Sequence, residues 1–146
     1  MKTPRPKRTR PDANQKAEHA KLTGWGCVCY DMHNLPGDPK ANPLDAFIFS
    51  PDKLRWLQVE WKVAPGSKFR PSQEAYFKSL GIWDLVQLWL EPVVLYEKTG
   101  IPVVVAWKAE QVMDVFSVME DYRLEAERLK RLVAAYVDRL NLLARK

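Results

Sequence analysis

The spacing of apolar positions along this chain changes several times, and each change marks a predicted element. Residues 13–22 read as a short helix, with Asp12 placed to cap its start and Thr23-Gly24 to end it. Residues 25–31 (WGCVCYD) predict a first strand, with Cys27 and Cys29 on one face. Residues 32–42 (MHNLPGDPKAN) are dense in turn formers and predict a loop. The apolar run 46–49 (AFIF) and residues 54–62 (LRWLQVEWK) predict two strands joined by the turn Ser50-Pro51-Asp52-Lys53, a hairpin. Residues 63–70 form a short basic loop, after which Ser72 is placed to cap a helix over 73–80, stopped by Gly81.

Residues 82–96 are apolar on nearly all sides, which predicts one or two buried helical turns with a kink or restart at Pro92. Residues 100–107 (GIPVVVAW) form a continuous β-branched run and predict a buried strand. From residue 109 to the end there is no Gly or Pro, and one long helix is expected, with a break allowed near Ser117. The predicted order is α-β-β-β-α-(α)-β-α, an α/β fold in which a small mixed sheet is flanked by helices. Along the last helix Met119, Tyr122, Ala126, Leu129, Val133, Tyr136, Leu140 and Leu143 alternate spacings of three and four between charged flanks. That heptad seam predicts a homodimer through residues 117–146, with docking onto a replication or repair protein as the alternative.

Charge is distributed unevenly. Five of the 23 basic residues (Lys2, Arg5, Lys7, Arg8 and Arg10) fall in the first ten positions, leaving 18 against 18 acidic residues in the remainder. Residues 1–11 therefore read as a basic, proline-bearing arm that cannot bury apolar surface, suited to contacting phosphates. Residues 12–116 hold enough apolar sequence for one domain with its own core. No charged start followed by an apolar run reads as a secretion signal, and no stretch reads as a membrane span, so a cytoplasmic protein is expected. Cys27, Cys29, His19 and His33 lack the ligand spacing of a zinc site.

The chemistry concentrates in residues 42–73. Asp45 opens one hairpin strand and Glu60 closes the other, so a paired hairpin brings the two carboxylates together at one end of the sheet. Alternation puts Glu60 and Lys62 on one face and Trp61 on the other. Two carboxylates suit a hard cation, and a lysine beside them can steady developing negative charge. The basic positions flanking this centre, Lys40 before it and Lys68 and Arg70 after it, are expected to contact phosphates together with Arg5, Lys7, Arg8 and Arg10 of the arm.

Asp45 followed by Glu60-x-Lys62 resembles the core of the PD-(D/E)XK nuclease superfamily. The later Pro71-Ser72-Gln73 is similar to an element of its VRR-NUC and phage or archaeal Holliday-junction-resolvase-like branches, and Asp12-Ala13-Asn14-Gln15 with Glu18 resembles the helix start of small phage members. The chain departs from the pattern in two places: Leu44 separates Pro43 from Asp45, and Trp61 is bulkier than usual between Glu and Lys. Neither removes a functional group.

The resemblance implies a restriction-endonuclease-like core and a Mg²⁺-dependent endodeoxyribonuclease, with Mn²⁺ as a possible substitute and no nucleotide cofactor. It implies Asp45, Glu60 and the Trp61 carbonyl as metal ligands, Lys62 as the catalytic lysine, and Glu18 and Gln73 as supporting catalytic residues. The substrate it implies is branched DNA, as for a Holliday junction resolvase acting as a homodimer in recombination or repair. A flap or linear-DNA nuclease and a non-catalytic DNA-binding or assembly protein are the alternatives.

Overall fold

The computed structural model describes residues 13–32 and 44–145. The basic arm, Asp12 and the loop residues 33–42, including Lys40 and His33, lie outside them. In chain order the elements are α1 (Ala13–Gly24), β1 (Val28–Asp31), β2 (Ala46–Ser50), β3 (Arg55–Trp61), α2 (Pro71–Ser79), α3 (Trp83–Val86), α4 (Pro92–Thr99), β4 (Val103–Ala106) and α5 (Ala109–Ala144). The strands form one mixed sheet in the order β1-β2-β3-β4, antiparallel except for the β3–β4 pair. A parallel pair needs a crossover, and the helices α2, α3 and α4 supply it. This is the α/β class that the sequence predicts: a four-stranded mixed sheet with helices and a long C-terminal helix.

Strand alternation builds the core in two layers. Ala46 and Ile48 of β2, Leu57, Val59 and Trp61 of β3, and Val104 and Ala106 of β4 share one face. Leu22 of α1 and Val112, Val115, Phe116 and Met119 of α5 cover it. Phe116 is fully buried, a contribution of roughly 1.5–3 kcal/mol from its transfer out of water. On the opposite face Val103 and Val105 meet Leu44, Phe77, Ile82, Val86 and Leu95. That second layer stops over β3 and β4. Farther along the same face Tyr30, Phe47 and Trp56 form a cross-strand aromatic row, with Tyr30 and Trp56 about half exposed.

Several sequence boundaries shift for local reasons. The first strand starts at Val28 rather than residue 25, because the end of α1 keeps folding back on itself. Trp25 and Cys27 both donate backbone hydrogen bonds to the Leu22 carbonyl, and Gly26 takes a positive φ of 94° to allow it. The second helix begins at Pro71, with Arg70 rather than Ser72 as its cap residue. The fixed φ of proline suits a first helical turn. The 82–96 segment divides into two helices, the second starting at Pro92 as predicted.

No break occurs at Ser117. Its hydroxyl bonds back to the Met113 carbonyl at 3.1 Å, and α5 runs through as 36 continuous residues. The division expected at 117 thus falls inside one helix whose buried part extends to Met119. Among the described residues no helix is long and apolar enough to cross a membrane.

Candidate active site

Register decides which side chains meet. In the β2–β3 pair Ala46 lies opposite Val59, so Asp45, one residue earlier, falls beside Glu60, one residue later. The two are then interlocked through backbone and side chain. The Asp45 N–H donates to Glu60 Oε2 at 3.1 Å, and the Trp61 N–H donates to Asp45 Oδ2 at 3.0 Å. Each carboxylate therefore accepts from the backbone of the neighbouring strand. Both are buried, Glu60 to 1% exposure and Asp45 to 7%.

Lys62 follows one residue after β3, with Nζ 3.4 Å from Glu60 Oε1. Its ammonium also donates to the Lys68 carbonyl at 3.0 Å and to Gln73 Oε1 at 3.3 Å, and it lies over the Phe69 ring, 4.8 Å from the centroid. Gln73, fully buried, closes the cluster. Its Nε2 donates to Glu60 Oε1 at 2.8 Å, while its Oε1 accepts the Arg70 N–H at 3.0 Å. One amide thus ties the start of α2 to β3. Four predicted residues, Asp45, Glu60, Lys62 and Gln73, converge here.

Burial pushes the Glu60 carboxyl up to about 8, with the charge and hydrogen bond of Asp45 acting in the same direction and Lys62 opposing them. At neutral pH Glu60 is therefore held in its protonated form. A buried acid that holds its proton can exchange it for a small hard cation.

Glu18 is held elsewhere. Its Oε2 accepts the Ala109 N–H at 2.6 Å at the first residue of α5, and its Oε1 lies 3.3 Å from Lys21 Nζ. A carboxylate at a helix N-terminus satisfies an open backbone donor and complements the helix dipole. Gln111 completes that anchor: its Oε1 accepts the Trp107 and Lys108 N–H groups, and its Nε2 donates to Glu91. Sequence reading missed Gln111, although it stands at the third position of α5 as Gln73 does in α2.

It also missed the supports of the strand end. His19 Nε2 accepts the Trp61 indole N–H at 2.8 Å, and burial lowers the imidazole below its usual range, which suits an acceptor. Asn14 Nδ2 donates to the Lys62 carbonyl at 3.3 Å. Trp61, expected to lend its carbonyl to a metal, fixes Asp45 through its N–H and α1 through its ring.

Lys68 and Arg70 are exposed on the loop between β3 and α2, on either side of Phe69. They border the site at the Lys68 carbonyl, which holds Lys62. Arg5, Lys7, Arg8, Arg10 and Lys40 lie outside the described residues. Among the described residues no group of three or more His, Cys, Asp or Glu side chains is placed to hold a metal. The side-chain contribution at this centre is thus the carboxylate pair alone. Cys27 Sγ faces Met113 Sδ at 3.6 Å and Cys29 Sγ faces the His19 carbonyl at 4.0 Å. Comparison with protein-family models, curated proteins and solved structures gives no match for this chain.

Proposed function

We propose that the protein is a metal-dependent DNA endonuclease whose centre is Asp45, Glu60 and Lys62. The observation that carries this reading is the convergence of two buried carboxylates with an ammonium 3.4 Å from one of them, at the end of the β2–β3 hairpin. A purely structural ion pair gains nothing from a second buried carboxylate. Placing two acids together raises the free energy of the ionised pair, and Asp45 adds to burial, the larger cause, in displacing Glu60 upward.

The donor set fits Mg²⁺ or Mn²⁺ by its chemistry: all oxygen, two carboxylates with the Trp61 carbonyl between Glu60 and Lys62, fewer donors than the six positions of Mg²⁺, the rest of which water would fill. When bound, such an ion supplies Lewis acidity toward a phosphate oxygen and a lowered pKa for water. The residues of the chain do the rest. Asp45 and Glu60 would hold the ion, and their backbone interlock fixes the spacing between them. Lys62, directed by Gln73 and the Lys68 carbonyl, presents a point cation where negative charge builds on the phosphate. Lys68 and Arg70 are exposed to meet the neighbouring backbone phosphates. Branched DNA of the Holliday-junction type is the substrate this reading favours.

The test is cleavage of end-labelled four-way junction, flap, linear duplex and single-stranded DNA in Mg²⁺, Mn²⁺ or EDTA. Paired nicks in the junction are expected, lost in EDTA and in Glu60→Gln, and lowered roughly 10²–10³-fold in Lys62→Ala. Cutting only flaps or ends replaces the substrate with that of the alternative nuclease. Binding without metal-dependent cutting rejects the enzyme and leaves a DNA-binding protein.

A further inference from the structure

Beyond Met119 the long helix leaves the domain. Tyr122 still rests on Tyr96 of α4, ring centroids 6.5 Å apart, but every residue from 124 to 145 is exposed. On this free stretch Ala126, Leu129, Val133, Tyr136, Leu140 and Leu143 keep the alternation of three and four residues. The repeat is 3.5 residues, the period of a left-handed coiled coil rather than of a helix lying straight on a globular core. A helix carrying such a stripe through water gains little from propensity alone and is stabilised by covering the stripe.

We propose that residues 126–143 pair with the same residues of a second copy of this chain, as a parallel two-stranded coiled coil. The segments outside the described residues carry little that could cover the stripe. Residues 1–12 and 33–43 contain one large aliphatic residue each, Met1 and Leu35. The flanking positions favour a parallel copy. With Ala126, Val133 and Leu140 at the first core position of each heptad, Glu125 meets Lys130 of the partner subunit, and Leu132 meets Val137 of the partner subunit. Each pairing occurs twice by symmetry, one of opposite charge and one apolar. An antiparallel arrangement gains a Glu125 pairing with Arg139 of the partner subunit but sets Lys130 against its own copy. Within one chain Glu125 already attracts Arg128 at 2.7 Å, an exposed pair that is easily shared. No residue of the Asp45–Glu60 centre takes part, so the inference stands or falls independently of the nuclease reading.

Sedimentation equilibrium of the full chain over a concentration series tests it. The wild type should approach twice the 16.9 kDa of one chain. Val133→Asp should restore the single mass while the cooperative unfolding of the domain persists, because Val133 is 62% exposed. Lys130→Glu should weaken dimerisation several-fold, and Glu125→Lys with Lys130→Glu should recover it. Leu140→Cys should give a disulfide-linked dimer on mild oxidation; in the antiparallel register Leu140 faces Tyr122 and no such link forms. A wild type that stays monomeric, or gains mass only when another protein is added, overturns the proposal. So does a dimer that survives Val133→Asp or is tightened by Lys130→Glu.

Discussion

Replacing Glu60 by Gln separates the two things this side chain does, because the amide keeps the shape of the protonated acid and cannot ionise. In the unfolded chain the Glu60 proton is lost near 4.5; in the fold it is held up to about 8. Between those values the folded protein binds more protons than the unfolded chain, so metal-free stability falls as the pH rises. The stabilisation is fully present below 4.5 and is lost on passing through about 8. At about 1.4 kcal/mol per pH unit, the gap from 4.5 to about 8 sets a ceiling of about 5 kcal/mol. Roughly 3.5 kcal/mol of that falls between pH 5 and 8.

The substitution also carries a penalty that does not vary with pH. Its amide nitrogen must face a donor, either the Asp45 N–H or Gln73 Nε2, at about 1–3 kcal/mol. The informative quantity is therefore the change in the difference between the two proteins, not the difference at one pH. Urea unfolding in EDTA, followed by tryptophan fluorescence at pH 5, 6, 7 and 8, supplies it. The variant should gain about 3.5 kcal/mol on the wild type across that range. Parallel curves would refute the reasoning, since Glu60 would then ionise in the fold as it does in the unfolded chain.

Three further outcomes follow from the same geometry. On the proposed metal site Mg²⁺ would have to displace the Glu60 proton, so the Mg²⁺ concentration giving half-maximal thermal stabilisation should fall by up to about tenfold per pH unit below 8 and then level off; a midpoint indifferent to pH contradicts this. Gln73→Ala leaves the Arg70 N–H without its acceptor and removes one donor from Glu60, so it should lower stability by about 1–3 kcal/mol in denaturant titrations and reduce cleavage as well. Glu18→Ala uncaps the start of α5 and should lower stability by about 1–2 kcal/mol while cleavage per folded molecule holds. Loss of cleavage with stability intact would return Glu18 to the catalytic set.

What the sequence determined by itself is whatever depends on neighbours along the chain. The apolar run Ala46–Phe49 ahead of the turn at residues 50–53 set the hairpin strand, and the β-branched run at Val103–Ala106 set the buried one. Pro92 fixed the restart of α4, and the heptad spacing after Met119 is a property of the sequence alone. The meeting of Asp45 with Glu60 was also legible, because a hairpin register follows from where its turn lies.

The tertiary structure decided what depends on residues far apart in the chain. Glu18 lies on a helix whose position in space no local pattern reports, and packing carried its carboxylate to Ala109, 91 residues away. Gln73 has the same exposed first-turn signature as any polar helix residue; only the fold of the 63–70 loop brings it under Glu60. The mixed sheet is likewise a long-range outcome, since β4 joins β3 in parallel only after three helices have crossed over. Burial of Glu60 is the most consequential of these. The pattern Glu-x-Lys specifies a charge pair, but the low-dielectric surroundings that shift its proton to about 8 exist only once both layers have closed on the sheet.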